Sequence, residues 1–422
     1  TMGAALIGDV TALLKDMLLP YVKDNLPKQT ILLDQLKRNS GVTPMNDEFL
    51  TAVWSARHGG FAALADDGNS VVNARGRTSS RGTVAVETMT ASFRLSKLTM
   101  DSSRTGAMAI ENVLTAQAKS LMEDTARHIN RMVYNDGVGV ISQVRGTGGS
   151  VGTGTIAVEY MNASLDDGRS IDWYGTINGD ITPTKYFAVD QIIGVGTGGA
   201  ADGTVLSSTG TSVVSGAPTA IVTAANDSIY IQDGDGEGAG TSEILGLRAA
   251  LSSRSGTTTY AGLASTVAGW LPSFGSASEA LSLDRMYERY LRAHEYASNA
   301  DKYIFVMNIT PYRKYGAVLT AMRQSVNEAE LLGGWKGLSF AAGAGVVGVF
   351  LDYEVPDGEV LCLNLDSLTI CQVNELEWVS GADMGSLERI QQTLTYEAIL
   401  AWEMNLMCLA PAANGRDTRK TN

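Results

Sequence analysis

The chain has 422 residues, 44% of them hydrophobic and 18% charged, with a formal net charge of -13. That length suits two or three domains of ordinary size, and the acidic balance excludes broad sequence-independent binding to nucleic acid, which needs a basic surface. The cysteines Cys362, Cys371 and Cys408 form no C-x-x-C pair, which argues against a disulfide framework or a thiolate zinc site. No apolar run reaches the roughly 18 residues that span a bilayer, and no basic-then-apolar signal segment is present. A soluble protein made in a reducing compartment is expected.

Residues 4–37 read as helical pieces broken by proline. Leu6, Val10, Leu13, Leu14, Met17 and Leu18 recur at helical spacing before Pro20, and Leu26, Ile31, Leu32, Leu33 and Leu36 form a second apolar set. These pieces either pack on the main body or form an arm that buries its stripe on a neighbouring subunit. Over 59–100 the sequence suggests a long hairpin. Val71-Val72 opens one strand, and Thr83 to Leu95 alternates as the other. Between them, Arg75, Arg77 and Arg81 lie on a glycine-flanked loop tip. Isolated hairpins are marginal, so this one must rest on something else.

The clearest element runs from about Thr105 to Asn135. Ala107, Ile110, Leu114, Ala118, Leu121, Thr125, Ile129 and Met132 make one stripe at spacings of three and four, and Asp136-Gly137 supplies a left-handed stop. Such a helix is roughly 45 Å long at 1.5 Å per residue. A glycine-rich, acidic stretch follows: 26 of the 46 glycines lie between Gly137 and Gly275. Strands are expected at Thr155–Tyr160, Lys185–Ile193, Ala220–Ala224 and Ser228–Gln232. Beyond Leu281 the pattern gives a helix through Leu283, Met286, Tyr287, Tyr290 and Leu291, and a buried strand at Tyr303–Met307. A helix over Pro311–Ser325 and strands at Val346–Leu351 and Val360–Leu363 follow, the strands joined by a Pro356-Asp357-Gly358 turn. Gln391 to Met407 alternates loosely, and Pro411-Ala412-Ala413-Asn414 closes the fold before a polar tail.

Catalytic motifs were sought. Gly194-Val195-Gly196-Thr197-Gly198-Gly199 spells G-x-G-x-x-G, but no helix opens after it to hold a phosphate. Gly148-Gly149-Ser150-Val151-Gly152 spells G-x-S-x-G without a placed acid and histidine. Asp233-Gly234-Asp235-Gly236-Glu237-Gly238 begins like a calcium loop, yet its twelfth position is Ile244. His294-Glu295 begins a zinc helix motif whose second ligand is replaced by Ser298. No catalytic residue, cofactor or metal site is therefore assigned.

The order of elements resembles the major capsid protein of tailed bacteriophages, the Hong Kong 97 type shell fold. Leu13-Leu14-Lys15-Asp16, Leu19-Pro20-Tyr21-Val22 and Leu32-Leu33 look like the arm, and the Arg75–Gly82 tip looks like the extended loop. Glu111, Leu121-Met122-Glu123-Asp124, Asn130-Arg131 and Tyr134-Asn135-Asp136-Gly137 look like the spine helix. Pro356-Asp357-Gly358-Glu359-Val360-Leu361 and Tyr396-Glu397-Ala398 to Pro411-Ala412-Ala413 look like the late turn and closing strand. The resemblance implies an α+β chain divided as follows: arm 1–58, extended hairpin loop 59–101, spine helix and start of the peripheral domain 102–149, inserted β-rich domain 150–245, axial domain 246–375, and returning peripheral strand with C-terminal tail 376–422. It implies no enzyme but a virion shell subunit, assembled in the host cytoplasm. The implied partners are its own copies in hexamers and pentamers, a portal, scaffold or decoration proteins, and packaged double-stranded DNA held without sequence preference; no membrane is involved. Arg75, Arg77 and Arg81 are expected at a subunit contact. An encapsulin-like nanocompartment shell and a secreted glycan-binding or adhesive β protein are the alternatives.

Overall fold

In the computed structural model of the chain, the described residues are mainly 30–54, 78–97, 125–137 and 243–421, apart from short stretches, with the strands lying between 140 and 231. The helix expected over 4–18 and most of the first half of that over 105–135 lie outside them. The architecture is α+β, as expected.

Helix α1 (Ile31–Gln35) buries Ile31, Leu32 and Leu33, and Leu36 follows them into the same core. This part of the N-terminal stripe is thus packed on the chain's own body. Next come β1 (Lys37–Ser40), β2 (Glu48–Trp54), β3 (Ser79–Ala85) and β4 (Glu87–Ser96), then helix α2 over 125–134. Strands β2 and β3 pair antiparallel from Glu48 opposite Ala85 to Trp54 opposite Ser79. The expected hairpin is corrected here. The partner of the 79–85 strand is 48–54, and Val71-Val72 lies outside the described residues.

A second correction concerns the single strand expected from Thr83 to Leu95. It breaks at Val86, whose N–H donates to Asp47 O at 2.9 Å, and Asp47 sits at a left-handed φ of 59°. Before the break Gly82 and Val84 face inward; after it Phe93 and Leu95 do. One residue out of the pairing moves the buried set to the opposite parity, because side chains alternate with a period of two.

Helix α2 ends at Gly137, with φ +86°, the left-handed stop expected. The glycine-rich segment then forms small sheets. Thr155–Val158, Thr204–Ser207 and Gln191–Val195 make one; Val140–Gln143, Ser228–Ile231, Ser170–Tyr174 and Pro183–Ala188 make another. Val140–Gln143 pairs with Ser228–Ile231, so this β-rich part starts near residue 140, not at 150 as expected. Its two ends meet. A side chain on Gly137 would stand 3.4 Å from Ile244 O, and Arg248 N donates to Asn135 O at 3.1 Å. Gly246 packs so tightly on the end of α2 that a Cβ there would lie 2.7 Å from Val133 O.

After α3 (Leu247–Ala250) come β5 (Ser273–Gly275), α4 (Leu283–His294), β6 (Tyr303–Met307), α5 (Ile309–Ala321), β7 (Glu328–Glu330), β8 (Lys336–Ala342) and β9 (Gly345–Leu351). The chain ends through β10 (Val360–Asn364), β11 (Leu368–Gln372), β12 (Glu377–Trp378), β13 (Glu388–Arg389), β14 (Thr395–Cys408) and β15 (Gly415–Asp417). Ser282 caps α4 by accepting from Arg285 N at 3.3 Å, Asp284 stands in the first turn, and Arg292 and His294 stand in the last, so charge and dipole agree at both ends.

Two sheets share the core. In the seven-stranded sheet the order is β5-β15-β10-β6-β9-β8-β7. Every residue of β6 is buried, because both faces are covered. Tyr303, Phe305, Met307, Val347, Val349, Val360 and Cys362 face α4 and α5; Ile304, Val306, Phe350, Leu361 and Leu363 face the main core. The six-stranded sheet is built on β14, fourteen residues long, flanked by β4 on one side and by β11, β12 and β13 on the other; β1 adds parallel to β11. Phe93, Leu95, Ala398, Leu400, Trp402 and Met404 face the core.

Three expectations change here. The strands β9 and β10 are not a hairpin across Pro356–Gly358, since β6 lies between them. Residues after Asn414 are not a loose polar tail. β15 sits between β5 and β10, with Arg416 5% and Asp417 2% exposed, and Lys420–Thr421 pairs with Glu279–Ala280. Nor do the two sheets divide at residue 375, because β11 belongs with β14 while β15 belongs with β6.

Candidate assembly surfaces

Of the three arginines expected at a loop tip, Arg75 and Arg77 lie outside the described residues. Arg81 is exposed, but it stands inside β3 opposite Ala52, not on a turn. It lies on the exposed side of the hairpin whose inward residue is Val84, and Gly82 packs against Thr51 and Leu263.

The outer face of the six-stranded sheet presents a polar surface. On β4 it carries Thr88, Thr90, Ser92 and Arg94, all exposed. Register places Glu403, Ala401, Ile399 and Glu397 of β14 opposite them, and Glu377 opposite Ala401. Arg94 Nε reaches Glu397 Oε1 at 3.1 Å, with the arginine side chain 65% exposed, so this pair contributes at most about 1 kcal/mol. Glu403 accepts from Asn374 at 3.3 Å. The face therefore carries three carboxylates, Glu377, Glu397 and Glu403, against the one arginine Arg94.

A different surface lies over α4 and α5. Met286, Tyr290 and Ala293 turn α4 inward, while Tyr287 and Leu291, one turn apart, remain exposed. Between the helices a cleft of about 280 Å³ is lined by Leu283, Tyr287, Tyr315, Leu319 and Phe340, with Asp284 at its side. Tyr315 Oη donates to Ser339 O at 2.7 Å, and burial raises its pKa to about 12. Val346, at the β8–β9 hairpin, is 73% exposed and is the most exposed large apolar side chain among the described residues.

The described residues include only part of the catalytic spellings. Ser150 lies in a two-residue strand. Thr204–Ser207, downstream of the G-x-G-x-x-G spelling, is a strand, and Gly196–Gly199 lie outside the described residues, as do Ser298 and Asp233–Gly238. His294 sits at the end of α4 beside the edge-to-face pair Tyr290 and Tyr303, at centroid distances of 5.5 and 6.3 Å. All three cysteines are buried and free, and burial raises each thiol, Cys408 to about 12. Among the described residues no three His, Cys, Asp or Glu side chains gather as metal ligands, and no helix is long and apolar enough to cross a membrane.

Sequence reasoning missed the buried ion pairs. Arg416 grips Glu359 in a bidentate way, with Nε to Oε2 at 2.9 Å and Nη2 to Oε1. Arg289 Nε meets Asp417 at 2.8 Å, and Arg131 grips Glu243. Partners 57, 128 and 112 residues apart leave no local pattern to find.

No protein-family profile matches the chain. No curated protein matches it either. Among solved structures, a chain of the cyanophage A-1(L) capsid asymmetric unit aligns over 93% of both chains at 14% identity, with a TM-score of 0.51. A chain of the native GTA particle capsid aligns over 92% of this chain and 90% of its own at 12% identity, TM-score 0.44. The holo-SrpI encapsulin of Synechococcus elongatus aligns over 35% of this chain and 53% of its own at 14% identity, TM-score 0.28. The first alignment shows the fold: the Hong Kong 97 type found in capsid shells, here with a β-rich insertion.

Proposed function

We propose that the chain is the structural subunit of a bacteriophage head. The observation that carries this reading is the end-to-end likeness of its fold to a cyanophage capsid chain, at 93% coverage of both. The subunit assembles with its own copies as hexamers and pentamers into a closed icosahedral shell around double-stranded DNA. A portal and scaffold or decoration proteins complete the head, which is assembled in the host cytoplasm, and no residue is catalytic. A shell of this kind suits a subunit with exposed apolar side chains such as Tyr287, Leu291 and Val346, because closed symmetric assembly covers edges and apolar faces that a monomer leaves bare.

The basic segment Arg75, Arg77 and Arg81 meets an acidic surface of the adjacent subunit. The outer sheet face with Glu377, Glu397 and Glu403 is such a surface, and the arginine fork binds carboxylates side-on. Expression of the chain, followed by light scattering and negative-stain microscopy, tests the assignment. Closed particles tens of nanometres across are expected. A stable folded monomer at high concentration in every buffer tried would refute it.

A further inference from the structure

Helix α2 and the seven-stranded sheet meet at a buried polar junction. Asp352 directly follows β9, is 6% exposed, and has no basic partner among the described residues. Its carboxylate accepts from every side. Asn130 Nδ2 lies 3.0 Å from Oδ1 and 3.1 Å from Oδ2, Tyr134 Oη donates to Oδ2 at 3.0 Å, and Glu354 N donates to Oδ1 at 3.0 Å. The Asp352 N–H donates to Met307 O at the end of β6 at 3.1 Å, and Asn308 Nδ2 donates to Val355 O. One residue therefore joins α2 to the sheet: its carboxylate holds Asn130 and Tyr134 of α2, and its backbone N–H holds the end of β6.

The groups that face it are few. From α2 they are Asn130 and Tyr134; the neighbouring Arg131 is turned to Glu243. From its own loop comes Glu354, also 6% exposed, and from the β6–α5 corner a backbone carbonyl and the Asn308 amide. Burial raises the Asp352 carboxyl above the ordinary carboxylate range, against the hydrogen bonds, which lower it. Burial and the adjacent carboxylates hold Tyr134 well above its ordinary value, so it stays a donor.

Asn130 supplies the second half of the observation. Its Oδ1 is buried with no hydrogen-bond partner, while its Nδ2 straddles both carboxylate oxygens. An amide can give an ionised carboxylate only its N–H. To a protonated carboxyl it can present both atoms, in two parallel bonds: amide N–H to carboxyl oxygen, and carboxyl O–H to amide oxygen. A small swing of the Asn130 amide then satisfies Oδ1, which otherwise stays a buried acceptor without a donor.

We propose that this junction is a proton-operated joint: a proton taken from solvent onto Asp352 closes a cyclic acid–amide pair with Asn130 and tightens α2 against the sheet, and its release loosens that contact. The new O–H bond is on Asp352 Oδ2, its hydrogen directed at Asn130 Oδ1, and Tyr134 keeps donating to the same oxygen. This inference rests on the fold alone and does not depend on shell assembly.

The sign follows from the raised carboxyl. The folded state holds the proton to higher pH than the unfolded chain. The stabilisation is complete below the ordinary Asp value of 3.8 and is lost as pH rises through the folded value. Asp352→Asn builds an amide–amide pair that needs no proton. Thermal melting of the full chain between pH 4.5 and 8 should show the wild type losing Tm with rising pH and D352N losing less. Hydrogen exchange of peptides covering 125–135 and 352–356, corrected for intrinsic rates, should show protection falling from pH 5.5 to 8 in the wild type and not in D352N. An unchanged pH slope in D352N overturns the proposal. So does a slope abolished by Glu354→Gln and kept in D352N, which would assign the effect to the other carboxylate. If D352N does not fold, the wild-type exchange decides alone: equal protection at both pH values overturns the joint, and falling protection supports it.

Discussion

The last strand of the chain is held by charge, and that can be measured. Arg416 of β15 and Glu359, the residue before β10, have side chains 6% and 7% exposed and share two hydrogen bonds. At this burial the pair is scarcely screened. Arg416→Met strands the Glu359 carboxylate in the core, and losing one partner of a buried pair costs about 3–5 kcal/mol. Glu359→Leu strands the guanidinium instead, which keeps its contact with the Phe274 ring at 5.8 Å and so falls toward the lower end of that range. The double variant removes both charges together, and such replacements are often neutral or even stabilising by about 1–4 kcal/mol.

Urea and thermal unfolding of the unassembled subunit should therefore give two damaged single variants and a double variant close to wild type. At about 2.1 cal/mol/K of unfolding entropy per residue, 1 kcal/mol moves Tm by about 1 °C in a chain of 422 residues, so each single variant should melt about 3–5 °C lower. Single losses below about 1 kcal/mol, the range of an exposed pair, would refute the claim that β15 is locked by this pair. Truncation after Asn414 is a harsher form of the same experiment. It removes Arg416 and Asp417 together and leaves Glu359 and Arg289 both buried without their ionic partners.

Other outcomes follow from the same geometry. Replacing 139–242 by a short Gly-Ser linker should leave a soluble chain with a cooperative melt, because Gly137 and Ile244 already touch; insolubility on deletion would show that the β-rich part is integral. Iodoacetamide at pH 8 should label none of the three cysteines in the folded chain and all three after denaturation, as Cys408 is pushed to about 12 and the others are also raised; rapid labelling of the native chain, read by mass spectrometry, would count against the core described. The triple change of Arg75, Arg77 and Arg81 to Ala should lower particle stability and flatten its salt dependence, since 1 M salt shortens the Debye length to about 3 Å; particles that melt identically across a salt series would return these arginines to a solvated segment.

Elements stabilised by near neighbours were legible in the sequence. Helix α4 carries its cap at Ser282, its acid at Asp284 and its buried stripe at Met286, Tyr290 and Ala293 within a dozen residues. β6 announces itself as an unbroken apolar run because both of its faces are covered. The alternation through β4 was also readable. The break at Val86 was not, because nothing local distinguishes a continuous strand from one that shifts parity beside a left-handed Asp47. The partner of β3 was missed for a related reason. Glu48–Trp54 lies beyond a 24-residue connection, and without a two-residue turn to fix the register, the nearer Val71-Val72 looked the better mate.

The buried charges explain why the remainder stayed hidden. A sequence pattern sorts residues by the free energy of exposing each one singly, and on that scale Gly415-Arg416-Asp417-Thr418 belongs in water. The structure solves the problem in pairs. Arg416 brings its own neutraliser from the residue before β10, Asp417 from α4, and both charges pass inside because neither is desolvated alone. Asp352 goes further and has no basic partner among the described residues, only donors from Asn130, Tyr134 and a backbone N–H. The same rule separates the two sites physically. A charge buried with its opposite is neutralised by that partner, whereas a carboxylate buried among neutral donors can shed its charge by taking one proton. β15 is accordingly a lock and the Asp352 junction a joint, and a melt followed across pH should move with the second.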